Sequence, residues 1–340
     1  METTTYDYSD YSADPFTPAE SCKVERINYL GAQLSTLYYF MFLFSLFSNG
    51  LVLIIIHRFE KLNTVTNILL LNLVLSSLIF MSSLPFIGVY TQVSNWVFGE
   101  VMCKIVGTVY YLGFYSSVFF LTLLTFDRHL AVVYSLDAPR LRSRRYAVAS
   151  CAVVWLVSGL ACIRPMILHT TFKYLDNTKY CQEFPGDIPS INVEQLRIAG
   201  FYLQLILFLI FPLVVIIYCY ARIAITVMSS KIVTKFKTVR LIFVIVLMFF
   251  MCWTPFNIVM LMEGKDTTCE GKERMAYALE VTRVMAYTYF CISPLFYTFV
   301  GKKFQNYFRQ MLVKRFPGLE KHVSVSQHSK TNLSTKSTRN

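Results

Sequence analysis

Seven long stretches of this chain contain no Asp, Glu, Lys or Arg: Leu34–Ile56, Leu62–Gly99, Ile105–Phe126, Tyr146–Ile163, Ile198–Ala221, Leu241–Met262 and Val284–Gly301. Apolar residues fill them without the strict alternation of a barrel strand, which runs for about ten residues. About 20 such residues in a helix cross the hydrocarbon core. In lipid, a helix of this length satisfies its own backbone hydrogen bonds. Six stretches predict one helix each. Leu62–Gly99 is long enough for two, yet Leu84-Pro85 interrupts it and a polar segment follows at Thr91–Trp96. It predicts one helix ending in an exposed turn. The pattern is that of an all-α membrane protein, a seven-transmembrane helix bundle over residues 34–301.

Composition excludes the soluble alternatives. Only 15% of residues are charged against 55% apolar, and mean hydropathy is +0.49, where a soluble domain carries about 25% charged residues. Gly and Pro are too few for a collagen-like or disordered chain. Residues 1–27 hold six acids (Glu2, Asp7, Asp10, Asp14, Glu20, Glu25) and no apolar run, so no cleaved leader is expected. The net charge of +12 is distributed unevenly. With the N-terminus outside, the outer face holds 11 basic and 16 acidic residues, net −5, and the inner face 21 and 4, net +17. This matches the positive-inside bias, and the reverse topology would violate it. No nucleic-acid partner is expected, because a soluble basic face with interleaved aromatics is missing. The 29 Phe and 22 Tyr lie in apolar runs, suited to lipid contact and helix packing.

Chemistry-bearing residues concentrate at the two ends of the predicted bundle. Residues 1–33 form an acidic outer tail in which Tyr6, Tyr8 and Tyr11 stand beside Asp7 and Asp10. Such a segment stays solvated and attracts a basic partner, raising its on-rate. Cys22, Cys103, Cys181 and Cys269 fall on the outer side, where disulfides form, and four cysteines allow three connectivities. Cys151, Cys162, Cys219, Cys252 and Cys291 lie within spans and read as buried residues. Arg283 sits inside the seventh span, where a charge is costly and usually functional. Glu280, three residues earlier on the same helix face, is placed to pair with it. Pro85, Pro212, Pro255 and Pro294 each remove a backbone donor and kink their helices. A short amphipathic eighth helix is expected over 302–316, followed by a disordered cytoplasmic tail over 317–340 with eight Ser and Thr between Ser324 and Thr338. No enzyme is expected. G-x-S-x-G, H-E-x-x-H and a Gly-rich phosphate loop are missing, and the five His show no metal-ligand spacing. Neither cofactor nor metal is expected.

With these motifs in order, the chain resembles the rhodopsin-like G-protein-coupled receptors over essentially its whole length. The matching residues are Asn49 in the first span, Asp127-Arg128-His129 ending the third, Trp155 in the fourth, and Pro212 with Tyr220 in the fifth. Cys252-Trp253-Thr254-Pro255 lies in the sixth and Ser293-Pro294-Leu295-Phe296-Tyr297 in the seventh. Within that class it resembles a chemokine receptor at Leu71–Leu75, Leu84–Phe86, Trp96–Gly99, Tyr115–Leu121, Cys252–Asn257 and Phe299–Phe304. Ala278–Arg283 and Thr238–Phe243 lean towards the XC (lymphotactin) receptor or a neighbouring CC type.

The resemblance carries further expectations. It implies the pairings Cys103–Cys181 and Cys22–Cys269, sulfation of the tail tyrosines, and a pocket involving Tyr38, Tyr110, Tyr111, Phe256, Glu280 and Arg283. Many CC-type relatives carry Glu at the Arg283 position, so the pocket sign differs there. Ligand pressure near Trp253 and Phe249 would swing the sixth helix about Pro255. Asp127 would hold Arg128 until activation frees it towards Tyr220 and Tyr297. Implied partners are a small basic chemokine, an inhibitory-type heterotrimeric G protein, and arrestin and receptor kinases at the C-terminal tail, all in the plasma membrane. The alternative within the family is a scavenging receptor that internalises chemokine without G-protein signalling. Two departures bear on the choice: Ser77 replaces the usual Asp of the second span, and Ser293 the usual Asn of the seventh. Together these predict no sodium site of the usual kind.

Overall fold

The structure, a computed structural model, describes residues 25–59, 64–137, 142–173, 178–183, 192–229, 236–262, 268–300 and 302–315. Tyr6, Tyr8, Tyr11, Cys22 and the Ser/Thr-rich tail lie outside the described residues.

In chain order the elements are α1 (Glu25–Phe59), α2 (Val65–Met81), α3 (Leu84–Val93), α4 (Gly99–Val133), α5 (Arg144–Ala161) and α6 (Ile163–Leu168). A hairpin follows, β1 (His169–Lys173) and β2 (Lys179–Glu183), then α7 (Val193–Leu205), a π turn (Ile206–Ile210), α8 (Phe211–Ser229), α9 (Phe236–Met262), α10 (Cys269–Val300) and α11 (Lys302–Arg315). Six described spans are long and apolar enough to cross a membrane: α1, α2–α3, α4, α5–α6, α7–α8 and α9. The seventh, α10, is more polar because it carries Glu280, Arg283 and a run of hydroxyls. It packs against α9 and α1, while α4 runs between α2 and α8 through the centre.

Helix starts follow local chemistry. Thr64, Ser143 and Asn192 each cap the following helix by accepting a hydrogen bond from a backbone N–H three residues on, satisfying one of the donors every helix N-terminus leaves free. The ends overrun the charge-free windows. α1 begins at Glu25 and α10 at Cys269, because charged residues at helix ends stay in water while the helix continues.

Four prolines each remove a backbone donor from the helix ladders, and local hydrogen bonds gather around them. The second span is two helices: Ser82 N–H bonds to the Leu78 carbonyl and Ser83 Oγ to the Phe80 carbonyl at the break, ahead of Pro85. Before Pro212 the chain inserts the π turn, closed by Phe211 N–H on the Ile206 carbonyl, a local rearrangement of the backbone ladder. Beside Pro255, the Asn257 side-chain amide donates to the Trp253 carbonyl at 2.9 Å. Pro294 cannot donate to the Phe290 carbonyl; Ser45 Oγ and Asn49 Nδ2 donate to it instead, both at 3.3 Å. A polar seam thus joins α1 to the kink of α10.

The turn expected at Thr91–Trp96 is exposed at Gln92, Val93 and Ser94, and the structure corrects the expectation at Trp96 alone. Trp96 is 2% exposed. Its indole N–H donates to the Gly99 carbonyl at 2.7 Å, and its ring packs edge-on against Tyr90 and Phe98 in a small core with Cys103 and Val106. The disulfide needs an apolar seat, and Trp96 supplies it. Cys252 is half-buried, not buried; the other four span cysteines are buried, and all five are free.

Candidate functional site

One end of the bundle is covered by the β1–β2 hairpin. A disulfide joins Cys103 on α4 to Cys181 on β2, with Cα atoms 5.7 Å apart. Further bonds hold the hairpin: Trp96 N–H to the Lys179 carbonyl at 2.9 Å and Lys179 N–H to Asn95 Oδ1 at 2.9 Å. Lys104 Nζ donates to the His169 carbonyl at 2.9 Å, placing a cation at the C-terminal end of α6 where the helix dipole favours one. His169 fills the space opposite Gly107, where a Cβ would strike the ring. Burial pushes this imidazole below the ordinary histidine pKa.

Under the hairpin lies a cavity of about 620 Å³. Tyr110, Tyr111 and Phe114 of α4 form one wall, Arg164 and Glu183 the rim, α7 residues including Arg197, Phe201 and Gln204 a second wall, and Trp253, Phe256 and Asn257 of α9 the base. Aromatic walls with a few polar groups are the usual make-up of a ligand site. Arg164 and Glu183 pair through two contacts of 3.0 and 3.2 Å, and the guanidinium carbon lies 6.0 Å from the Tyr111 ring centre. Gly200 makes this possible, because a Cβ there would overlap the Arg164 side chain.

Three expected pocket residues lie elsewhere. Tyr38, Glu280 and Arg283 form a separate cluster between α1 and α10: Tyr38 OH donates to Glu280 Oε2 at 3.1 Å, and Arg283 bonds to Glu280 Oε1. Tyr287 links this cluster to the cavity wall, with its ring 6.0 Å from both Tyr38 and Tyr110. Trp253 is buried at the centre of an aromatic cluster. Its ring lies 4.1 Å from Phe114 and 6.1 Å from Phe249, and Phe249 meets Tyr289 edge-on at 5.2 Å.

At the opposite end, Asp127 is 1% exposed and surrounded by donors. Arg128 Nη2 lies 2.5 Å from Oδ2, and Thr66 Oγ1 donates to the same oxygen at 2.9 Å. Arg142, which follows residues outside the described ones, adds contacts of 2.6 Å to Oδ1 and 3.0 Å to Oδ2. Tyr220 on α8 meets Phe243 of α9 edge-on at 5.1 Å. Ser293 and Pro294 lie on α10 at the kink. Tyr297 is on the same helix and Cys269 at its start, but both side chains lie outside the described ones, and with Cys269 the proposed Cys22–Cys269 pairing.

The family described as "7 transmembrane receptor (rhodopsin family)" matches residues 48–297. The chain belongs to that family. Within it the chain is a chemokine receptor by relationship. It is 34% identical to the C-C chemokine receptor type 3 of Cavia porcellus, over 96% of this chain and 87% of the relative. It is 36% identical to the human C-C chemokine receptor type 1, over 93% and 90%. G-protein coupled receptor E1 of equine herpesvirus 2 is 36% identical, over 88% and 79%. Of the two subfamilies that the sequence resembles, both named chemokine receptors are of the C-C type.

In this receptor the middle of the bundle departs from the family pattern. Ser77 Oγ donates to the Leu73 carbonyl at 3.0 Å, while Ser117 Oγ and Asn49 Oδ1 are buried with no hydrogen-bond partner among the described residues. These groups are neutral, and Ser77 stands where the resemblance implies a carboxylate that would neutralise a cation. A bound ion stabilises the state it prefers by mass action, and a neutral site holds sodium poorly against its hydration. Agonist affinity is therefore expected to stay constant when sodium is exchanged for a large organic cation at fixed ionic strength. Ser77→Asp with Ser293→Asn should introduce sodium dependence. Strong sodium dependence in the unmodified receptor would refute the expectation.

Proposed function

We propose that this receptor sits in the plasma membrane with its hairpin end outside, binds a small basic chemokine there, and activates heterotrimeric G proteins of the inhibitory type, driving calcium signals and chemotaxis. The charge split supports this most directly: net −5 on the proposed outer side against +17 on the inner. A basic ligand is drawn to the first, and cytoplasmic retention of the second is the membrane rule. Two-part recognition follows, with the acidic tail at 1–33 attracting the ligand and the cavity over Trp253 receiving part of it. Pressure on Trp253 reaches Phe249 and the Pro255 kink, a bistable element of the kind that ligands bias. The opposite end then opens for a G protein, and phosphorylated Ser and Thr beyond Ser324 attract arrestin.

A chemokine panel on transfected cells, reading cAMP inhibition and arrestin recruitment together, tests this reading. A chemokine that lowers cAMP supports it. Arrestin recruitment without any G-protein response would establish the scavenger instead, the reading that Ser77 and Ser293 favour. No response to any chemokine on a surface-expressed receptor would refute both.

Tail steering has its own test. Sulfation of Tyr6, Tyr8 and Tyr11 would add negative charge, so replacing them by Phe should lower the chemokine on-rate by up to about tenfold at low ionic strength and flatten its salt dependence. Stopped-flow or surface-binding kinetics read both. An unchanged on-rate at low salt would exclude steering by these tyrosines.

A further inference from the structure

Arg142 makes more contacts with Asp127 than Arg128 does. Its Nε lies 2.6 Å from Oδ1 and its Nη2 3.0 Å from Oδ2, so the guanidinium fork spans the carboxylate; the same Nη2 donates to Thr66 Oγ1 at 3.2 Å. Such a two-point fit is the strongest geometry a guanidinium offers a carboxylate. Among the described residues, Arg128 reaches Asp127 only through Nη2, shares that nitrogen with Thr66, and keeps its Nε buried without a hydrogen-bond partner. Of the two cations on one carboxylate, the less well satisfied is the one that activation is to release.

We propose that Arg142 is a positioning residue that keeps Asp127 paired throughout activation, so that Arg128 leaves without stranding a buried charge. The inference rests on the functional reading above, in which Arg128 moves. Removing the sole partner of a buried carboxylate is strongly unfavourable, because the remaining charge has lost its solvent and gained nothing. With Arg142 in place, the departure of Arg128 forfeits one contact while the fork and the Thr66 hydroxyl remain. The predicted sign separates this from a simple lock. A lock residue restrains the resting state, so its loss raises basal activity. Arg142 stabilises Asp127 in both states, so its loss makes Arg128 the only cation on Asp127 among the described residues and ties it more firmly there.

Two arms test it. In purified receptor, Arg142→Gln should melt at a lower temperature than Arg128→Gln, and an Asp127→Asn background should erase the difference. Equal melting, or the reverse order, would overturn the proposal. In membranes with reconstituted G protein, Arg142→Gln should reduce basal nucleotide exchange and weaken agonist potency roughly tenfold, the scale of one hydrogen bond to a charged group. Arg142→Lys, which keeps the charge but not the fork, should fall between. Raised basal exchange in Arg142→Gln would identify a lock and refute the proposal. If the unmodified receptor activates no G protein, the functional reading fails, and the melting comparison still decides whether Arg142 is the main holder of Asp127.

Discussion

A Cys103→Ala receptor is expected to reach the cell surface poorly and to bind no chemokine. The Cys103–Cys181 bridge closes a sequence separation of 78 residues, and removing a native disulfide costs about 2–5 kcal/mol. Here the loss extends beyond chain entropy. Cys181 stands two residues before Glu183, whose carboxylate pairs with Arg164 at the cavity rim, so freeing β2 also loosens that pair. Cys103 further belongs to the small core of Trp96 and Val106, which would lose its centre. The control is Cys162→Ala, a buried free thiol whose loss removes a small side chain and no crosslink. Flow cytometry of surface receptor and saturation binding read the result. Normal expression and affinity in Cys103→Ala would show that the hydrogen bonds of the hairpin suffice to hold it.

Gly113→Ala is expected to be nearly as damaging, although it adds one methyl group. A Cβ at this position would run into the backbone N and Cα of Phe80, where α4 crosses α2. Backbone atoms cannot rotate away as a side chain does, so the two helices must separate. Overpacking of this kind costs about 1–3 kcal/mol, and the site raises the consequence. Phe80 is fully buried and stacks on Phe290 at 4.1 Å, with Tyr110, Tyr287 and Trp253 around it. A shift there displaces the cavity base. Lower thermal stability of purified receptor with weakened agonist response is the expected result. Gly50→Ala is the comparison, since nothing lies within 4 Å of a Cβ there. Equal melting of the two variants would show that α2 and α4 separate at little cost.

The amino-acid pattern alone determined the class and the number of spans, and it carries the charge asymmetry on which the proposed direction rests. Burial in lipid demands long apolar helices, and the membrane rule demands a one-sided excess of Lys and Arg, so both are written in the local order of residue types. The motif residues Asn49, Asp127, Arg128, Trp253, Pro255 and Pro294 were legible because the resemblance ties each of them to a fixed place in its own span, although several of their partners lie on other helices. Partners supplied by distant parts of the chain were not. Arg164 and Arg142 flank the Tyr146–Ile163 window, and nothing in their local sequence names Glu183 or Asp127. Nothing local marks Gly113 and Gly200, each inside a charge-free window, as the places where α2 and the Arg164 side chain come close. Trp96 sat in a polar run that suggested exposure, and only the disulfide and hairpin close over it. Likewise the division of Tyr38, Glu280 and Arg283 from the cavity that holds Tyr110, Tyr111 and Phe256 depends on where α1 and α10 meet. Helix formation and membrane insertion are decided by neighbours in sequence, while pairing, pockets and close helix crossings are decided by residues tens to hundreds of positions apart, and only the assembled bundle brings those together.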